Sequence, residues 1–177
     1  MSRRASAIVL AAWVALLYGS LAWLRPASEA LRARGLLSET VTLVLVLAAL
    51  LALVFLRRAP GEEPLSRPAL LLAVLAGGWL ATWWNLPEER VHLAQYVPVG
   101  VLAWRALGTR VVPALLLGGL LGLGDELLQG LLPERTFDPW DVLANALAVS
   151  GGVFVAAGGR LIWAAPGLWL GARLLLP

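Results

Sequence analysis

The chain has no cysteine and no lysine, and it holds a single histidine and a single methionine. Without cysteine there is no disulfide framework, no iron–sulfur cluster and no thiolate nucleophile. With His92 as the one imidazole, a metal centre built from several histidines is excluded. Charge is scarce, at 14% of residues against about 25% in a soluble domain. Hydrophobic residues take up the difference, at 60% against about 45–50%. That balance excludes a soluble globular domain and a disordered chain.

What is present is a series of long uncharged blocks, of which residues 41–56 (VTLVLVLAALLALVFL) are the clearest. A helix needs about 20 apolar residues to cross a bilayer. Segments can be drawn at 5–24, 37–56, 68–84, 91–107, 111–132, 140–158 and 160–176. The breaks between them carry turn chemistry: Arg25-Pro26, the run 57–64, Leu86-Pro87, Gly108, Pro133 and Gly158-Gly159. The expected fold is all-α, a polytopic transmembrane helical bundle of six or seven membrane segments, with residues 1–177 as a single transmembrane domain. Segment 160–176 is short and has Pro166-Gly167 in its middle, so it reads either as a short span or as an interfacial helix. The stretch 25–36 reads as a short amphipathic helix. The N-terminal run resembles a signal peptide, but Ala22-Trp23-Leu24 is a poor cleavage site, and the run is read as a retained first span.

All fourteen cationic side chains are Arg, and the formal net charge is +3. They stand singly or in pairs between apolar blocks, as membrane flanks do, and form no contiguous basic face for nucleic acid. With the N-terminus inside, eight Arg fall in inside loops and six outside, which favours a cytoplasmic N-terminus. Most of the Trp residues lie near segment ends, as interfacial belts require; Trp13 is the clearest exception.

The acids are unevenly distributed: five of the eleven lie between Asp125 and Asp141. Glu126 and Gln129, three apart, share a helix face, which Gly119 and Gly122 continue. Asp141 and Asn145, four apart, share a face of the next helix, continued by Ala148 and Gly152. His92 and Tyr96 do the same on an earlier helix, above Gly100 and Ala103. Small residues let helices approach closely in lipid, so three tightly packed helices with polar ends at one membrane face are expected. Alternation of the spans puts loops 85–91 and 133–139 on that face. Asp138 before Pro139 reads as an N-cap, and Asp141 is spaced to reach back to it. Arg135 is placed to fork onto a carboxylate such as Glu126 or Asp141.

Each of these residues also has a purely structural reading. Asp138 can be only a cap, Asp141 a complement to the helix dipole, Asn145 interhelical glue, and Asp125 a residue turned toward headgroups. Intramembrane ionisable groups nevertheless point to function by default.

The run Glu126, Gln129, Arg135, Phe137, Asp138, Asp141 and Asn145, with His92 and Tyr96 upstream, resembles the VanZ-like family of membrane proteins over about residues 85–157. Two positions depart from the family's pattern, Ala148 in place of a Gly and Gln95 in place of an acid. Additional membrane segments lie in 5–84 and 160–176, and of these the spans at 37–84 and 160–176 carry no such resemblance. The family is named for a low-level glycopeptide (teicoplanin) resistance factor. The resemblance implies a multi-pass protein of the bacterial inner membrane and cell envelope.

Two functions compete. In the first, the cluster is a site at the outer leaflet that binds or acts on a lipid headgroup or an envelope precursor. Arg135 would hold an anionic group, Glu126 and His92 would be the acid–base candidates, and Gln129, Asp138, Asp141, Asn145 and Tyr96 would bind or orient. No cofactor or metal is called for, although Glu126, Asp138 and Asp141 offer oxygens that a divalent cation would accept. In the second, the chain is an accessory subunit of a larger membrane complex and partners other membrane subunits, the cluster being a folding lock in which Arg135 neutralises buried acids. A closed salt bridge at Arg135 would favour the lock; an open pocket walled by Glu126 and His92 would favour the site. A transporter is disfavoured by the lack of mid-bilayer charge and of an inverted repeat.

Overall fold

The computed structural model describes residues 1–57, 66–81, 90–133 and 135–172. Seven α-helices make up these residues: α1 Arg3–Ala33, α2 Leu37–Arg57, α3 Ser66–Ala81, α4 Val91–Ala106, α5 Val111–Leu131, α6 Pro139–Ala157 and α7 Ala164–Ala172. A 3-10 turn over Gly159–Trp163 joins the last two, and no strand occurs among the described residues. Helices α1, α5 and α6 are each long and apolar enough to cross a membrane. The turns expected at 57–64 and at Leu86-Pro87, and the end of segment 160–176, lie wholly or mostly outside the described residues.

Two elements differ from the sequence reading. Helix α1 runs unbroken through Pro26 for 31 residues instead of ending at Arg25. The proline removes one backbone donor, but its fixed φ suits the helix, and Arg25 pairs with Glu29 across the position at 3.0 Å. The separate helix expected over 25–36 is therefore mostly the last turns of α1. The described part of the final segment is a 3-10 turn and a nine-residue helix, about 14 Å long against a hydrocarbon core of about 30 Å. Gly158 and Gly159, at φ 66° and 54°, turn the chain there, a backbone region that glycine enters without penalty.

The most extensive packing is between α4 and α6, followed by α5 on α6 and α1 on α4. Two glycines explain the closeness of the first pair. A Cβ on Gly100 would strike the Val149 carbonyl, and one on Gly152 would strike that of Val97. On α5 the glycine seated against Val149 is Gly118, while Gly119 has nothing near it. The small stripe of that helix therefore runs through Gly122 and Gly118, one residue off the face expected. On the far side of α5, Leu116 and Leu120 are 63% and 65% exposed, which suits a face toward lipid.

Aromatic side chains with a polar tip pin α1 to this core. Trp13 Nε1 donates to the Gln95 carbonyl on α4 at 2.9 Å. Tyr18 Oη donates to the Leu121 carbonyl on α5 at 2.6 Å. Trp13, the clearest exception to the interfacial belt, is thus an interhelical tie.

Candidate functional site

The C-terminal end of α5 and the N-terminal starts of α4 and α6 meet at one end of the bundle. Local sequence chemistry sets this up. Asp138 caps α6, its Oδ1 accepting from the Trp140 amide at 2.8 Å, with Pro139 at the start of the helix. This points the first turn of α6, with Asp141 and then Asn145, at the last two turns of α5. His92 and Tyr96, one turn apart on α4, complete the group with rings stacked at 6.5 Å between centroids.

Asn145 is at the centre and has no exposed surface. Its Nδ2 donates to the Gly122 carbonyl at 3.3 Å, and its Oδ1 lies 2.7 Å from His92 Nδ1. An amide oxygen only accepts, so Nδ1 carries the proton and donates. The other ring nitrogen, Nε2, lies 3.5 Å from Asp141 Oδ1. Asp141 therefore turns to the histidine rather than back to the helix cap.

Gln129 links the acids to the arginine. Its Nε2 donates to Glu126 Oε1 at 2.7 Å and to Asp125 Oδ2 at 3.3 Å. Its Oε1 accepts from Arg135 Nη1 at 2.5 Å. Among the described residues no carboxylate lies within ion-pair distance of Arg135, so the expected fork onto Glu126 or Asp141 is replaced by this amide contact. The glutamine amide donates to the acids and accepts from the guanidinium, so it bridges groups of opposite charge.

Glu126 is buried at 1% exposure. Asp125 is 4% exposed, so it is not turned out to headgroups. Among the described residues, three buried atoms at this end make no hydrogen bond of good geometry: Arg135 Nε, and Tyr96 Oη and Asp125 Oδ1, whose side chains approach each other loosely. Most buried polar atoms are paired, so three in one cluster mark a place that expects something more.

A cavity of about 460 Å³ opens beside the cluster. His92, Gln95, Asp125, Gln129, Arg135 and Asp141 form its polar wall. Leu17, Leu21, Leu24 and Leu31 of α1 and Val41 and Val44 of α2 supply apolar surface to the rest of the lining, and Arg25, Ser28, Glu29, Arg32 and Thr40 add polar groups from the same two helices. Glu126 is not on the lining. Sequence spacing located the polar half through its i, i+3 and i, i+4 pairs. It missed Asp125, because neighbouring helix positions point about 100° apart and one had already been assigned inward. It also missed the apolar half, which comes from helices far away in sequence.

A family model described as VanZ/LLP1 matches residues 8–163. Neither the curated proteins nor the solved structures compared with the chain include a match. The chain belongs to the VanZ/LLP1 family, and the match extends well beyond the 85–157 stretch to take in α1, α2 and α3.

Proposed function

We propose that this VanZ/LLP1 family member is a multi-pass protein of the bacterial inner membrane, with six or seven membrane segments and a cytoplasmic N-terminus, and that its cavity receives the polar head of an amphiphile. The occupant is a lipid headgroup or a lipid-linked envelope precursor, held at the outer face. One observation carries the reading: the cavity lining combines the buried polar cluster with leucine and valine side chains of α1 and α2, alongside Arg25, Glu29 and Arg32. Its volume falls within the range of about 300–1,000 Å³ usual for small-ligand sites.

The parts divide as follows. Arg135 presents an unpaired buried Nε to the cavity, a donor suited to phosphate. Gln129 holds the guanidinium from behind. Leu17, Leu21 and Val41 accept the start of an acyl or prenyl chain. His92, oriented by Asn145, and the sheltered Glu126 are the acid–base candidates. The folding-lock alternative needs Arg135 spent on buried acids, and its partner among the described residues is Gln129 instead.

A cellular test follows from the teicoplanin phenotype for which the family is named. At equal expression in a challenged bacterial host, Glu126→Gln and Arg135→Ala are expected to leave cells more sensitive to teicoplanin than the wild-type chain does. Equal sensitivity of both variants and wild type contradicts the reading.

A further inference from the structure

We propose that His92, Glu126 and Asp141 bind one divalent metal ion, of the zinc or manganese class, at the edge of the cavity. The proposal deepens the headgroup reading, because a cation there would meet a phosphate, but it rests on these three side chains and can be tested without any amphiphile.

Each of the three offers one ligand atom, and these atoms lie within 4.8 Å of one another. Ligands at about 2.1 Å from a shared tetrahedral ion are about 3.4 Å apart. Side-chain adjustments that shorten the widest separation by up to about 1.4 Å therefore close the site. The ligands come from three different helices, α4, α5 and α6, whose close packing fixes the backbone beneath them. One imidazole and two carboxylates form a mixed nitrogen and oxygen set, which suits borderline ions more than calcium or magnesium. Three protein ligands leave coordination positions open, and His92 and Asp141 both line the cavity.

The histidine provides the strongest argument. A metal-binding imidazole donates its other ring N–H to a fixed acceptor, which sets the tautomer and aims the lone pair. His92 Nδ1 donates in this way to Asn145 Oδ1. Asn145 cannot turn over without placing its amide oxygen against the Gly122 carbonyl, to which Nδ2 now donates. Nε2 is left with a lone pair directed at Asp141 Oδ1 from 3.5 Å. Nε2 and Asp141 Oδ1 thus face each other across a gap that either a proton on the ring or a shared metal ion fills.

A second observation is independent of the histidine. Asp125, beside Glu126, is 4% exposed and lines the same cavity, and its Oδ1 makes no hydrogen bond of good geometry, only a loose approach to the Tyr96 hydroxyl. Asp125, Glu126 and Asp141 thus bring three acidic groups together beside Arg135, and a divalent cation offsets that local excess, buried charge being costly unless paired.

The test uses the full chain in detergent, stripped with a chelator and titrated calorimetrically with zinc chloride and, separately, manganese chloride. One equivalent of at least one metal is expected to bind. Asp141→Asn, which keeps side-chain volume, and His92→Ala are each expected to weaken binding at least about tenfold, and Asn145→Ala about 10–100-fold through the orientation of His92. Arg135→Gln is expected to keep metal affinity while losing the headgroup, which separates this proposal from the amphiphile reading. Absence of stoichiometric binding by either metal overturns the proposal. So does binding that Asp141→Asn leaves unchanged.

Discussion

Asn145 Oδ1 accepts a hydrogen bond from His92 Nδ1 at 2.7 Å, joining α6 to α4 where both helices begin. The same amide donates to Gly122 on α5. One buried side chain therefore ties together the three helices that carry the polar cluster.

Loss of that tie should be costly. Asn145→Ala leaves the buried His92 ring N–H without a partner, at about 1–3 kcal/mol when a buried group is left unsatisfied, and removes the tie to Gly122. A clear drop in thermal denaturation temperature in detergent is expected.

The close approach of α4 and α6 predicts a contrast between glycines. Gly100→Ala directs a methyl at the Val149 carbonyl, and overpacking of this kind costs about 1–3 kcal/mol. Gly119→Ala meets nothing within 4 Å and should stabilise by up to about 1 kcal/mol through helix propensity. Paired thermal melts of the two variants check both the sign and the face assigned to each glycine.

The ties from α1 should be individually modest. Trp13→Phe removes the bond to Gln95, and Tyr18→Phe the bond to Leu121. Each is expected to lower stability by about 0.5–1.5 kcal/mol. The two residues are well separated along α1 and touch different helices, so the double variant should be close to additive. Chemical denaturation of the two single variants and the double variant measures this.

Much of this arrangement could be read from the sequence, for identifiable reasons. Helical spacing relates Glu126 to Gln129, Asp141 to Asn145 and His92 to Tyr96, because residues three or four apart necessarily share a face. The Asp138-Pro139 cap was legible because it is chemistry between neighbours in the chain. What was not legible depends on contacts between helices. Arg135 pairs with Gln129 rather than with an acid because a loop's approach to α5 selects its partner. Asp125 is buried because α1 covers that side of α5. Pro26 does not end α1 because nothing in the chain around it demands a turn. Gly118 and Gly119 differ in role by one helical step, finer than a stripe of small residues can resolve.

The arginine offers a substitution whose structural cost can be bounded. Among the described residues Arg135 hydrogen-bonds only Gln129. Arg135→Gln should therefore lower stability by no more than about 1.5–3 kcal/mol, the worth of one charge-assisted hydrogen bond, and Arg135→Lys, which keeps charge but loses the planar fork, should bind an anionic head with intermediate affinity. Circular dichroism melts set beside binding isotherms separate these effects.

Headgroup binding itself can be measured by native mass spectrometry of the detergent-released protein titrated with a polyprenyl phosphate. The wild-type chain is predicted to retain one molecule through gentle activation, and Arg135→Gln, equally folded, to retain at least about tenfold less, the loss of one charge-assisted contact of about 1.5–3 kcal/mol. Equal retention by wild type and Arg135→Gln, or no retention by either, would contradict an amphiphile site between the polar wall and α1.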